Sequence, residues 1–118
     1  MLAIFIAEPL AMKTESLASL VKANMEASRK DAVFSKEKKE ALNGGDWMYF
    51  NAHIMAAWPH PAETIHCWVT SQSGHSYQWI ISCLTKDSDE AERAGTEIVS
   101  KLCILHHGCP VNWLMVFC

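Results

Sequence analysis

Between residues 47 and 55 the chain alternates two kinds of side chain: Met48, Phe50, Ala52 and Ile54 form a hydrophobic set, and Trp47, Tyr49, Asn51 and His53 an aromatic and polar one. A period of two marks a β-strand whose successive side chains point to opposite faces of a sheet. Neither set is polar enough for open water. The plain hydrophobic face is therefore expected to carry helices, and the Trp/Tyr/His face a ligand, a second subunit or another protein. The same character continues downstream, so that residues 46–85 hold four of the five Trp, both Tyr and four of the six His.

The flanking pattern predicts alternating strands and helices. Residues 2–7, Leu-Ala-Ile-Phe-Ile-Ala, read as a short buried strand closed by Glu8-Pro9. From about residue 12 to 30, Leu17, Leu20, Val21 and Met25 recur at helical spacing among charged positions, which predicts an amphipathic helix. Ser35 offers an N-cap for a short solvated helix over residues 36–42, and Asn43-Gly44-Gly45 a stop. Its charged run mixes signs and reads as a water-facing surface.

The strand at about 46–56 then leads through Trp58-Pro59-His60-Pro61 to a strand near 63–70. A hairpin centred between Pro59 and His60 would set His53 opposite His66, Asn51 opposite Trp68 and Tyr49 opposite Thr70. Ser73-Gly74 marks the next turn, before a strand over 77–85. A two-residue loop there puts Tyr77 and Trp79 on the face of Trp68, whereas a bulge puts Gln78 and Ser82 there, and the pattern leaves both open. Asp87, Ser88, Asp89, Glu90 and Glu92 crowd the start of a last helix, with Ala91, Ala94, Ile98, Leu102 and Leu105 as its buried stripe. Gly108 and Pro110 end it, and residues 111–118 read as an apolar strand inside the sheet or at a subunit contact.

The order β-α-α-β-β-β-α-β, without repeat or linker, predicts one α+β domain over residues 1–118. The expected architecture is a ferredoxin-like two-layer sandwich, an antiparallel sheet with helices packed on one face. A mixed sheet resembling the core of an acyltransferase domain shares that element order. Residues 84–90, Leu-Thr-Lys-Asp-Ser-Asp-Glu, argue against it, because a coenzyme pyrophosphate needs a glycine-rich turn and amides free of carboxylates.

Composition narrows the function classes. A chain of 118 residues, half of them hydrophobic and 19% charged, can bury a core without metal or disulfide staples and is not disordered. The net charge of −3 gives no basic surface for phosphates, and residues 46–84 contain no Lys or Arg, so the aromatic set lacks the cations of a base-stacking platform; no nucleic-acid partner is expected. The apolar opening of residues 1–7 is too short for a membrane span or a signal-peptide core, which points to a cytoplasmic protein with no membrane partner. Five cysteines, an odd number without CxxC spacing, read as reduced small hydrophobes.

Three groups of residues could carry chemistry. Cys103, His106, His107 and Cys109 have zinc-type donors, with Cys103 and His107 at i and i+4 of the expected helix. Their spacing matches no common zinc pattern, and histidines at a helix C-terminus serve as dipole partners, so no metal or cofactor is expected. Cys109, at a helix end and near two histidines, is the first candidate for a reactive thiol, although a helix C-terminus raises a thiol pKa and weighs against it. His53 and His66, if opposed, could transfer protons or bind a metal with His60 or Glu63, or hydrogen-bond to each other or Asn51 within a subunit contact. His66 and Cys67 are neighbours on a strand and point to opposite faces, so they cannot act as a nucleophile and its base.

Two functions from different classes follow. The first is a binding or interaction module, a homodimer whose face of Trp47, Tyr49, Asn51, His53, His66 and Trp68 forms the self-contact or takes a small apolar or aromatic ligand or a protein partner. The second is a small cofactor-free enzyme that uses His53 and His66 in a pocket on that face. A short chain of this kind is also compatible with an accessory protein of a phage, plasmid or gene cassette.

Overall fold

The computed structural model describes residues 1–42, 45–105 and 114–117, with 102–105 and 114–117 given as backbone only. In chain order the elements are β1 (Leu2–Glu8), α1 (Thr14–Ser28), β2 (Val33–Phe34), β3 (Lys38–Leu42), β4 (Gly45–Ile54), β5 (Glu63–Gln72), β6 (His75–Leu84), α2 (Ser88–Ser100), β7 (Leu102–Leu105) and β8 (Leu114–Phe117). A six-stranded antiparallel sheet runs β1-β6-β5-β4-β2, and β3 lies beside β2 along the same edge of β4. The fold is α+β. Among the described residues no helix is long and apolar enough to cross a membrane.

The alternation in β4 controls the layering. Phe50, Cys67 and Ile80 are aligned across β4, β5 and β6, as are Tyr49, Trp68 and Trp79 one position away, so the two sets lie on opposite faces. On the first face Leu17, Ala18 and Val21 of α1 pack against Met48, Phe50, Cys67 and Val69. On the second, Ala91 and Val99 of α2 pack against Trp47, Tyr49, Trp68, Tyr77 and Ile81. Each helix therefore covers its own face. This corrects the expected two-layer sandwich with helices on one side, and the placing of the helices along the chain differs from the expected ferredoxin-like order. The reason lies in α2: its buried positions Ala91, Gly95 and Val99 recur every four residues and are small, which lets the helix approach a layer of large rings.

Further expectations change. Residues 38–42 form β3 rather than a helix, with Leu42 paired to Gly45 and Lys38 to Tyr49. Two residues, Asn43-Gly44, separate Leu42 from Gly45 in the sequence, and Asn-Gly is a strong hairpin signal that outweighs the weak helix preference of a five-residue charged run. Ser35 is no helix cap, since its Oγ accepts a hydrogen bond from the Asn51 amide at 2.9 Å and its own amide donates to the Asn51 carbonyl at 2.9 Å. The β4–β5 register is displaced by two residues, so that Asn51 faces His66, Tyr49 faces Trp68, and His53 faces Thr64. A shift of two keeps every side chain on its predicted face but separates the histidines.

β1 is an edge strand and not a buried one: Leu2, Ile4 and Phe5 are 61%, 44% and 36% exposed. Finally, α2 stops at Ser100, and Leu102–Leu105 is a strand paired with Leu114–Phe117. The last helix is thus shorter than the residues to Leu105 suggested, and the final strand belongs to a separate two-stranded sheet. The question left open at Ser73-Gly74 is resolved, because Gln72 pairs with His75 and both turn residues have positive φ, 49° and 78°. This is the backbone of a two-residue hairpin, and it puts Tyr77 and Trp79 on the face of Trp68.

Candidate functional site

The polar centre of the aromatic face is a chain of hydrogen bonds running under α2. Tyr49 and Asn51 project from β4, His66 from β5 beside them, and Ser88 and Glu92 lie at i and i+4 of α2 above. Tyr49 Oη donates to Glu92 Oε1 at 2.8 Å and accepts from Asn51 Nδ2 at 3.2 Å. It lies 2.6 Å from His66 Nδ1, and Ser88 Oγ lies 3.1 Å from His66 Nε2.

A phenol has one proton. With that proton on Glu92, Tyr49 Oη must accept from His66, which makes the imidazole the Nδ1-protonated tautomer and leaves the Nε2 lone pair facing Ser88. The chain therefore has one direction, from Ser88 through His66 and Tyr49 to Glu92. Ring stacking holds it in place: Tyr49 and His66 are 5.9 Å apart and 19° from parallel, and Trp68 lies 5.0 Å from Tyr49 and 6.0 Å from His66.

Electrostatics agree with the neutral tautomer. Burial lowers the His66 pKa below its ordinary value, against the opposing pull of Glu92 and Asp89. Burial likewise raises the Tyr49 phenol far above its ordinary value, although Asn51 favours the ionised form and Glu92 opposes it. His66 is fully buried while Ser88 and Glu92 are half-buried, so the chain starts inside and reaches the surface at α2.

Of the six residues expected on a ligand or partner face, Tyr49, Asn51 and His66 are joined directly by these bonds, and Trp68 packs against them. Trp47, Tyr49, His66 and Trp68 are buried beneath their own chain. Trp47 also lines a cavity of about 520 Å³ at the start of α1, with Met48 and Ala41 and a charged rim that includes Lys13, Lys39 and Asp46. His53 belongs elsewhere: its Nδ1 is 3.4 Å from Thr85 Oγ1, which is 3.0 Å from Thr64 Oγ1. The expected His53–His66 pair is replaced by two separate networks.

Sequence reasoning does not single out Ser88 and Glu92 as site residues, because there they belong to the acidic start of a helix. The signal that could have found them is their i, i+4 spacing beside the small-residue stripe of Ala91, Gly95 and Val99. The side chains of Cys103, His106, His107 and Cys109 lie outside the described residues; Cys103 itself stands in a strand, so its expected helical i, i+4 relation to His107 is lost. Among the described residues no group of three or more His, Cys, Asp or Glu could hold a metal ion.

Cys67, on the opposite face from His66, is fully buried and its thiol is pushed up to about 12 by burial alone. Iodoacetamide at about pH 8 should leave Cys67 unmodified in the native protein and modify it in urea, as read by peptide mass mapping. Native-state alkylation at Cys67 would contradict the packing of α1. Compared with known proteins, the chain matches no protein-family model and no curated protein.

Proposed function

We propose that the protein is a small cytoplasmic binding module that acts as a homodimer, with the self-contact along β1 and not on the aromatic face. The observation that carries this reading is the edge strand: Leu2-Ala3-Ile4-Phe5-Ile6-Ala7 is uncharged, pairs among the described residues with β6 on one side only, and exposes Leu2, Ile4 and Phe5. Such an edge offers a row of free backbone donors and acceptors, and it lacks the lysine, internal proline or bulge that usually blocks strand addition. A second copy suits it because an antiparallel register centred on Phe5 would set Glu8 against Leu2, with no like charges opposed.

The binding surface of the dimer would be the β4–β5 loop. Trp58 is 97% exposed and Met55 68%, and Ala57 and His60 close the loop by two backbone hydrogen bonds of 2.9 and 2.6 Å. An ordered loop presenting a tryptophan is the type of anchor that dominates protein–protein contacts, which favours a protein partner over a small apolar ligand.

Light scattering across a concentration series tests the dimer. The expected mass is near twice 13.2 kDa for the native chain and near 13.2 kDa for the double variant Leu2→Lys, Ile4→Lys, with unchanged circular dichroism. A native chain that stays monomeric, or a dimer indifferent to the two lysines, would remove β1 as the contact.

A further inference from the structure

The hydrogen-bond chain beneath α2 supports a chemistry that a binding role does not need. We propose that Ser88 is a nucleophile toward small neutral acyl donors, with His66 as its general base and Tyr49, Asn51 and Glu92 as positioning residues. The diagnostic geometry of an activated hydroxyl is a base within hydrogen-bond reach that is itself oriented by a third group. Here Ser88 Oγ is 3.1 Å from His66 Nε2, His66 Nδ1 is 2.6 Å from Tyr49 Oη, and Tyr49 is fixed by Glu92 at 2.8 Å. A structural histidine needs partners for both ring nitrogens, but it does not need the acceptor nitrogen aimed at a half-exposed hydroxyl on the first residue of a 13-residue helix.

The step is an acyl transfer. His66 Nε2 takes the Ser88 proton as the Oγ–C bond forms at the carbonyl carbon. The tetrahedral intermediate then breaks its C–O bond to the alcohol, and the imidazolium returns the proton to the departing oxygen. Water repeats the sequence on the acyl-serine, with His66 again the base, and releases the carboxylic acid and free Ser88.

The surroundings restrict the substrate. Asp87, Asp89 and Glu90 flank Ser88, so an anionic acyl donor is repelled and a neutral or cationic ester is accepted. Tyr49 from β4 is the hydrogen-bond partner of the imidazole, and the groups that oppose burial and favour its protonation are Glu92, the Ser88 backbone and Asp89, all from α2. Burial is the stronger influence on the imidazole, and it keeps the base form at neutral pH.

The test uses the full chain and a neutral alkyl fluorophosphonate, which forms an Oγ–P bond and expels fluoride. The expected product is a single adduct per chain, mapped to Ser88 by peptide mass spectrometry and absent from Ser88→Ala. His66→Gln, checked for folding by circular dichroism, should slow labelling by at least about 100-fold. Glu92→Gln sits at the half-buried end of the chain and provides a second variant; it should slow labelling and displace the acid limb of the pH–rate profile, which loss of structure alone would not do. In the native protein labelling should be flat near neutral pH and fall in acid, with the limb below the ordinary histidine value of about 6.5. No adduct, an adduct elsewhere, equal labelling of Ser88→Ala, or a rate without an acid limb between about pH 4 and pH 8 would overturn the assignment.

Discussion

Replacing Trp68 with alanine is expected to lower the unfolding free energy by about 3–5 kcal/mol, the range for a large aromatic side chain removed from a packed core. Trp68 is fully buried at the middle of β5, and it meets Tyr49 and His66 on one side and α2 on the other. The contact with α2 is made at Gly95, where an added Cβ would run into Trp68 Cη2, lie 2.6 Å from Trp68 Cζ3 and 2.9 Å from Ile81 Cδ1. Gly95→Ala therefore opposes two effects. Alanine favours the helix by about 1 kcal/mol, whereas overpacking a filled core costs about 1–3 kcal/mol. The obstacle is a rigid ring already held against Tyr49, so the clash is expected to win and the single variant to be destabilised. In a Trp68→Ala background the ring is gone and only Ile81 Cδ1, the far end of a flexible side chain, has to yield, so Gly95→Ala should become stabilising. That reversal of sign in a double-mutant cycle, read from urea midpoints, isolates the contact. A neutral or stabilised Gly95→Ala in the native background would show that α2 does not seat on Trp68.

This notch explains why the layering is not legible in the sequence. The alternation of Met48, Phe50 and Ala52 with Trp47, Tyr49 and Asn51 correctly indicated a sheet covered on both faces. Nothing local says whether a cover comes from the same chain. Gly95 carries no hydrophobic signal, so the apolar pattern runs through Ala94 and Ile98 and does not separate the face of α2 from that of α1. The hairpins show a similar limit. Ser73-Gly74 supplied its turn and left only the bulge question, but Trp58-Pro59-His60-Pro61 offered several possible centres, and a displacement of two keeps all apolar faces matched. Pattern fixes the parity of a register before it fixes the register itself.

The candidate site was legible to the same degree. Tyr49, Asn51, His66 and Trp68 could be placed together because their faces follow from parity alone. Their chemistry could not, since it depends on Ser88 and Glu92, which lie more than twenty residues further on and reach His66 and Tyr49 only once α2 folds back over the sheet. His53 looked equivalent to His66 in the sequence, yet a register change of two pairs it with Thr64 and bonds it to Thr85 instead.

Tyr49→Phe keeps the ring and removes the one oxygen that serves Glu92, Asn51 and His66 at once. Glu92 and Asn51 are half-buried and can turn to water, but the His66 Nδ1–H is fully buried and is left without its acceptor. One such unsatisfied group costs about 1–3 kcal/mol, which is the expected loss of stability at neutral pH. The pH dependence separates this from a general loosening. In the native chain His66 has its pKa lowered by burial, so between its folded value and the unfolded value of about 6.5 the unfolded chain binds the extra proton. Stability is therefore complete above about pH 6.5 and falls as the pH drops toward the folded value. Tyr49 acts at the other end: burial raises its pKa, and stability present below the unfolded value of about 10 is lost as the pH rises beyond it. Phenylalanine abolishes that second contribution while Tyr77, also raised by burial, keeps its own. Urea unfolding followed by tryptophan fluorescence across the pH range should then show a lower neutral plateau and a shallower alkaline decline in Tyr49→Phe. A native-like plateau with an unchanged alkaline limb would mean that the Tyr49 hydroxyl is not the centre of the network.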